Sequence, residues 1–141
     1  MRAVCLFFAL EVGWAAVRIV RYWGDSTAAN TEVRVCARFL ELIPPEERNS
    51  VVGYNTWSDF YRVLDLRPAC RFFCNQDWAA INSKSLQRML REELTASKPV
   101  WVIQCYSESR PYGMCQSLLD SYYTPVEEDL LRGYVLYRRV R

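Results

Sequence analysis

Apolar and polar positions along this chain fall into short blocks whose period switches between helical and extended. After a cap at Asn30 or Thr31, the apolar residues Val33, Cys36, Leu40 and Ile43 recur at helical spacing. Arg34, Arg38 and Glu41 fall on the opposite face, and Pro44-Pro45 ends the run. Ser50 to Tyr54 is a short apolar stretch with β-branched residues and reads as a buried strand. Asn55-Thr56 opens a second helix with Trp57, Phe60, Tyr61 and Leu64 on one face, closed by Pro68. Cys70 to Cys74 reads as another short strand, and Asn75 to Trp78 as a polar-aromatic loop. Asn82-Ser83 caps the clearest helix, Lys84 to Ser97, with an apolar stripe of Leu86, Met89, Leu90 and Leu94 and a solvated face of Arg88, Arg91, Glu92 and Glu93. Pro99 ends that helix. Val100 to Cys105 follows, apolar enough for a strand covered on both faces. Cys115 to Tyr123 reads as a helix with Leu118, Leu119 and Tyr122 inward. Tyr122–Glu127 and Gly133–Arg139 read as a terminal hairpin.

Helices therefore alternate with strands. The alternation predicts an α/β domain: a small three-layer structure with a mostly parallel sheet, right-handed crossovers and a C-terminal antiparallel hairpin.

The N-terminal block is different. Residues Ala3 to Val20 are apolar except for Glu11, Gly13 and Arg18. A bilayer core needs about 20 helical residues, with about 17 as a lower limit. Arg18, Arg21, Tyr22 and Trp23 supply the cations and aromatic belt that often mark a membrane end. We read residues 1–23 as a membrane-type helix, ahead of a signal peptide or an ordinary packed helix. Residues 24–30 form a connector, and 31–141 the α/β domain.

Composition narrows the chemistry. The chain has 141 residues, enough for one domain, and 51% are apolar, enough for a core. A net charge of +2 argues against nucleic acid as a partner. The count of histidines is 0, which removes Ser-His-Asp and Cys-His pairs and imidazole metal sites. No GxGxxG or GxxxxGK[ST] string cradles a phosphate. Nothing in the composition calls for a cofactor. Of the 6 cysteines, Cys36 falls on the apolar face of a predicted helix and Cys70, Cys74 and Cys105 in or beside predicted strands, and no CxxC occurs. Cys70 and Cys74 in an extended strand would lie roughly 13 Å apart, too far to bridge. Buried free thiols are the reading preferred over one or two disulfides.

In an open parallel sheet, ligands bind beyond the carboxyl ends of the strands. Here those ends carry Asn55 and Trp57, then Gln76, Asp77 and Trp78, then Gln104 and Glu108. Flat rings beside amides and carboxylates suit sugars or isoprenoid-linked sugars. Asp77 with Glu108 would be a carboxylate pair for acid-base work or a divalent ion. The plainer account has Asn55 capping a helix, the tryptophans covering the core edge, and loops polar for solubility. Arg132, Arg138, Arg139 and Arg141 form a basic tail, read first as the charged blunting of an edge strand.

Several segments resemble the C-terminal extracytoplasmic domain of bacterial multispanning glycosyltransferases of the dolichyl-phosphate-mannose protein mannosyltransferase-like family. They are Ser50-Val-Val-Gly-Tyr-Asn55, Tyr61 with Leu66-Arg-Pro-Ala69, Arg71-Phe-Phe with Gln76, Lys98-Pro-Val-Trp-Val-Ile103, and Gly133-Tyr-Val-Leu-Tyr-Arg138. They occur in the family's order and span about four-fifths of the chain. The resemblance implies a last membrane helix over 3–20, polyprenyl-phosphate sugars as donors, and a place in the cell membrane with the C-terminal domain outside. The family's catalytic acid lies in a first extracytoplasmic loop that nothing here matches, so no catalytic residue carries over. The resemblance therefore implies an accessory portion of a transferase, as a fragment or split chain. It would partner membrane lipid or a lipid-linked sugar and a multispanning chain. A membrane-anchored binding module and a soluble enzyme using Asp77 and Glu108 are the other expectations.

Overall fold

The computed structural model describes residues 31–57, 61–62, 64–72, 75–106 and 113–140. The chain divides into two compact units, Met1–Thr31 and Glu32–Arg141, and the fold below is that of the second. The expected membrane helix and its connector lie outside the described residues. Among the described residues no helix is long and apolar enough to cross a membrane.

Helix α1 runs over 31–42 and a 3-10 helix over Pro45–Ser50. Strand β1 is Val51–Tyr54, helix α2 Asp77–Ala80, and helix α3 Lys84–Ser97. Strand β2 is Trp101–Cys105, helix α4 Gln116–Tyr122, and strands β3 and β4 are Tyr123–Asp129 and Tyr134–Arg139. The sheet has four strands in the order β1-β2-β4-β3.

An α/β architecture is what the alternation predicts, and the strand directions correct its detail. Only β1 and β2 run parallel; β4 is antiparallel to both β2 and β3. The sheet is mixed, not mostly parallel. A hairpin must bring β4 back beside β3, and the return strand slots against β2. Arg138 and Arg139 thus belong to an interior strand and not to a charged edge. Arg138 lies 5.2 Å over the Trp101 ring and 3.3 Å from Glu47, while Arg132 pairs with Asp129.

The expected strand over Cys70–Cys74 also fails. The chain bends at 69–71, residues 73–74 lie outside the described set, and a single parallel bridge joins Tyr54 to Asn75. Local bonds explain the bend. Asn75 Nδ2 donates to Phe72 O at 2.9 Å and to Cys70 Sγ at 3.3 Å, and Cys70 Sγ to Phe72 O at 3.0 Å. These bonds engage Phe72 O, and the Arg71 N–H donates to Glu93 Oε1 at 2.7 Å, so both backbone groups have partners outside the sheet.

The two faces of the sheet are covered separately, which gives three layers. On one face Val51, Trp101, Ile103, Tyr134 and Leu136 pack against Val35, Cys36, Phe39, Leu40 and Ile43 of α1 and its C-terminal end. On the other, Val52, Tyr54, Val102 and Tyr123 pack against Leu94 of α3 and Leu119 of α4. Alternation along β2 sends Ile103 one way and Val102 the other, so this central strand is buried on both sides. The buried stripe of α1 is wider than the predicted one, with Val35 and Phe39 inside and Val33 half-buried. In α3, Leu90 and Leu94 are buried while Met89 is exposed, and in α4 Leu119 is buried while Tyr122 is exposed. Among the described residues Cys36, Cys70 and Cys115 are free thiols.

Candidate functional site

The carboxyl end of β1 is where polar side chains enter the core. Tyr54 is fully buried, and its hydroxyl lies 2.8 Å from both carboxylate oxygens of Asp77, to which it donates. The same hydroxyl accepts the Cys115 N–H at 3.1 Å. Asn55 takes a left-handed backbone, φ 58°, which asparagine tolerates better than most residues. That turn aims its amide at Asp77. Asn55 Nδ2 donates to Asp77 Oδ2 at 3.2 Å, and the Asp77 N–H donates to Asn55 Oδ1 at 2.8 Å. The Asn55 N–H donates to Asn75 O at 2.7 Å, and Gln76 Nε2 to Thr56 O at 2.7 Å. A backbone N–H from Met114 also reaches Asp77.

One carboxylate therefore ties together the end of β1, the start of α2 and the approach to α4. Burial dominates its electrostatics: it pushes the Asp77 carboxyl above 3.8 despite donors from Tyr54, Asn55 and Met114. Burial likewise raises the Tyr54 hydroxyl, and it takes the Cys115 thiol up to about 11. Every donor around Asp77 is already engaged within the cluster. Among the described residues the only buried side-chain oxygen or nitrogen without a hydrogen bond is Ser97 Oγ.

The structure thus brings together Asn55, Gln76 and Asp77, all buried. Gln104 is buried too, but it turns to α4, where its Nε2 donates to Gln116 Oε1 at 3.0 Å. Trp57 and Trp78 are half exposed, 53% and 51%. Glu108 lies outside the described residues, so its expected pairing with Asp77 has no geometry. The Asn55 side chain bonds Asp77, and the start of the helix it was expected to cap lies outside the described residues. Among the described residues no group of three or more Cys, Asp or Glu is placed to hold a metal ion.

Sequence reasoning passed over a cleft of about 910 Å³ between α3 and the start of α4. Lys84, Arg88, Arg91 and Glu92 line one wall, and Gly113, Met114 and Ser117 line the other. Met114 touches both places, since its side lines the cleft and its N–H serves Asp77. The i, i+4, i+7 spacing of Lys84, Arg88 and Arg91 was the available signal for it. Arg88 is paired with Glu92 at 3.7 Å, with both side chains well exposed.

Compared with protein-family models, with curated proteins and with solved structures, the chain matches none.

Proposed function

We propose that this chain is the accessory C-terminal portion of a membrane glycosyltransferase that uses a polyprenyl-phosphate sugar, without catalytic residues of its own. It would be held at the cell membrane by its N-terminal segment, with the α/β domain on the extracytoplasmic side and a multispanning chain as its partner. One observation carries this reading. The polar residues at the β1 end are engaged in clasping three segments together, which suits a domain that positions others over one that turns over substrate. The motifs behind the family resemblance also fall on structural pivots. Asn55 is the left-handed turn after β1, Lys98 the left-handed end of α3, and Gly133 the positive-φ residue before β4.

A non-enzymatic binding module is the second reading, and the α3–α4 cleft favours it. Lys84 and Arg91 on its wall would suit an anionic ligand such as a phosphorylated headgroup.

The test is membrane fractionation of the full chain, then protease protection in spheroplasts and cross-linking. The accessory reading expects the chain in the membrane pellet, its domain digested from outside, and a cross-link to a larger multispanning protein. A soluble chain, or a domain digested only after lysis, overturns it. A membrane chain with no cross-linked partner that binds inorganic phosphate through the cleft shifts the assignment to the module.

A further inference from the structure

Most turns that join two strands are built from Gly, Asn and Asp, because these residues tolerate the backbone and keep the tip wet. The β3–β4 turn breaks this habit. It reads Leu130-Leu131-Arg132-Gly133, and its leucines are 78% and 98% exposed, the most exposed large apolar residues described. The turn is also firmly held. Asp129 accepts from the Arg132 N–H at 3.2 Å and from Arg132 Nη1 at 3.0 Å, and Arg38 lies 3.5 Å from it. Gly133 has φ +72°, and a Cβ there would strike the Tyr106 carbonyl. A well-bonded turn that displays two adjacent leucines to water is the kind of exposed apolar feature that contact surfaces use.

The strand directions place other exposed rings beside this tip. Cys105 pairs with Tyr134, and Asp129 also pairs with Tyr134, so the end of β2 and the β3–β4 turn share one edge of the sheet. Tyr106, 57% exposed, follows β2 there and bonds through its N–H to Gly133 O. Since β1 runs parallel to β2, Trp57 lies just beyond the same edge. Four strands at about 4.8 Å spacing make that edge about 14 Å wide.

The first residue of this unit is anchored at the same edge. Glu32 opens the second unit, and its carboxylate accepts the Trp57 N–H at 2.7 Å and the Tyr134 hydroxyl at 3.2 Å. The 31 residues before it include the apolar run from Ala3 to Val20 and the Tyr22-Trp23 pair. This edge therefore presents a leucine tip and two rings of the kind that favour the membrane–water interface, in a chain whose sequence also carries an apolar run.

We infer that this edge docks on a lipid bilayer, with Leu130 and Leu131 dipping among the acyl chains and Trp57 and Tyr106 at headgroup level. The inference rests on the membrane-anchored reading above and adds an orientation to it: the sheet stands with its β1 and β2 carboxyl ends toward the membrane. Arg38 and Arg132 are paired with Asp129, so the tip has no surplus of free cations. The contact is apolar and should hold as salt is raised.

The experiment is photo-cross-linking of the full chain on phosphatidylethanolamine–phosphatidylglycerol vesicles. One variant is Leu131→p-benzoylphenylalanine, at the tip. The other is Glu46→p-benzoylphenylalanine, an exposed site before β1 at the opposite edge. Both positions are solvent-facing, so both variants should fold. The expected result is flotation with the vesicles and severalfold more lipid adduct from position 131 than from 46, at low and high salt alike. A chain that floats but gives equal adducts overturns the docking and leaves the anchor intact. Adducts from 131 to a second protein copy replace the bilayer with a self-contact and also overturn it. A chain that fails to float removes the anchor and the docking together.

Discussion

A carboxylate at Asp77 is 2% exposed, and its donors do not offset the loss of water. Asp77→Ala would strand the Tyr54 hydroxyl and the Asn55 amide, and each buried donor left unsatisfied costs about 1–3 kcal/mol. Tyr54→Phe removes a donor and strands Asp77 and the Cys115 N–H less severely, so the expected order of melting temperatures is native, Tyr54→Phe, Asp77→Ala. The pH dependence has a definite sign. The folded carboxyl binds its proton more tightly than the unfolded one, so its contribution is full below 3.8 and is lost as pH rises through the raised folded value. Denaturant titrations should therefore show the native chain gaining stability over Asp77→Asn as pH falls through that window. A gap that widens on raising the pH would contradict the buried-proton picture. The thiols make a parallel case. Thiolate is the reactive form, and Cys115 sits at about 11 because burial, and then the Asp77 charge, oppose ionisation. Maleimide labelling at pH 8 with mass mapping should leave Cys115 and Cys36 unmodified in the native chain and modify both in denaturant.

Helix α3 shows how much a sequence can say about an element. Ser83 Oγ accepts the Leu86 N–H at 3.2 Å, and Pro99 follows the helix end, so both boundaries were legible from capping chemistry. Its last feature was not: Lys98 takes the left-handed conformation, φ 46°, usually left to glycine. Lys98→Gly should raise the melting temperature, since the strain of a side chain there is worth about 1 kcal/mol. Ser83→Ala should lower stability by about 1 kcal/mol. Strand β2 was legible for a similar reason, since five apolar-rich residues between Pro99 and a polar stretch fit little else. The segment from Cys70 to Asn75 shows the limit. Two phenylalanines between cysteines have strand propensity, but Asn75 folds back on Cys70 and Phe72 and Glu93 takes the Arg71 N–H, contacts that periodicity does not register. The candidate site divides in the same way. Asn55, Gln76 and Asp77 were found because strand ends collect polar residues, whereas their mutual engagement depends on a left-handed turn that no local pattern announces.

At the scale of the molecule, the sheet edges explain which strands should hold the fold together. Strands β2 and β4 are interior, and Trp101, Ile103 and Leu136 reach α1 from them while Val102 reaches the α3–α4 side. The outer edges are protected differently. On β1, the Ala69 N–H bonds Val51 O at 3.3 Å and the Asn55 N–H bonds Asn75 O, so both ends of the strand are engaged. On β3, Pro125 has no N–H to offer and the register shifts between Pro125 and Glu127, a bulge that blunts the edge against pairing with another chain. Because the hairpin returns β4 into the middle, the last strand of the chain completes both cores, and neither layer is whole until it is in place. Amide exchange should therefore be slowest in Val102–Gln104 and Val135–Tyr137, at rates that follow global unfolding, and faster in Thr124–Glu128. Leu136→Ala should cost about 2–5 kcal/mol, since its side chain is fully buried. If the two layers depend on one shared sheet, that variant should speed exchange in α3 as much as in α1, although Leu136 faces only α1. Faster exchange confined to α1 would mean that the layers unfold separately and that β4 does not couple them.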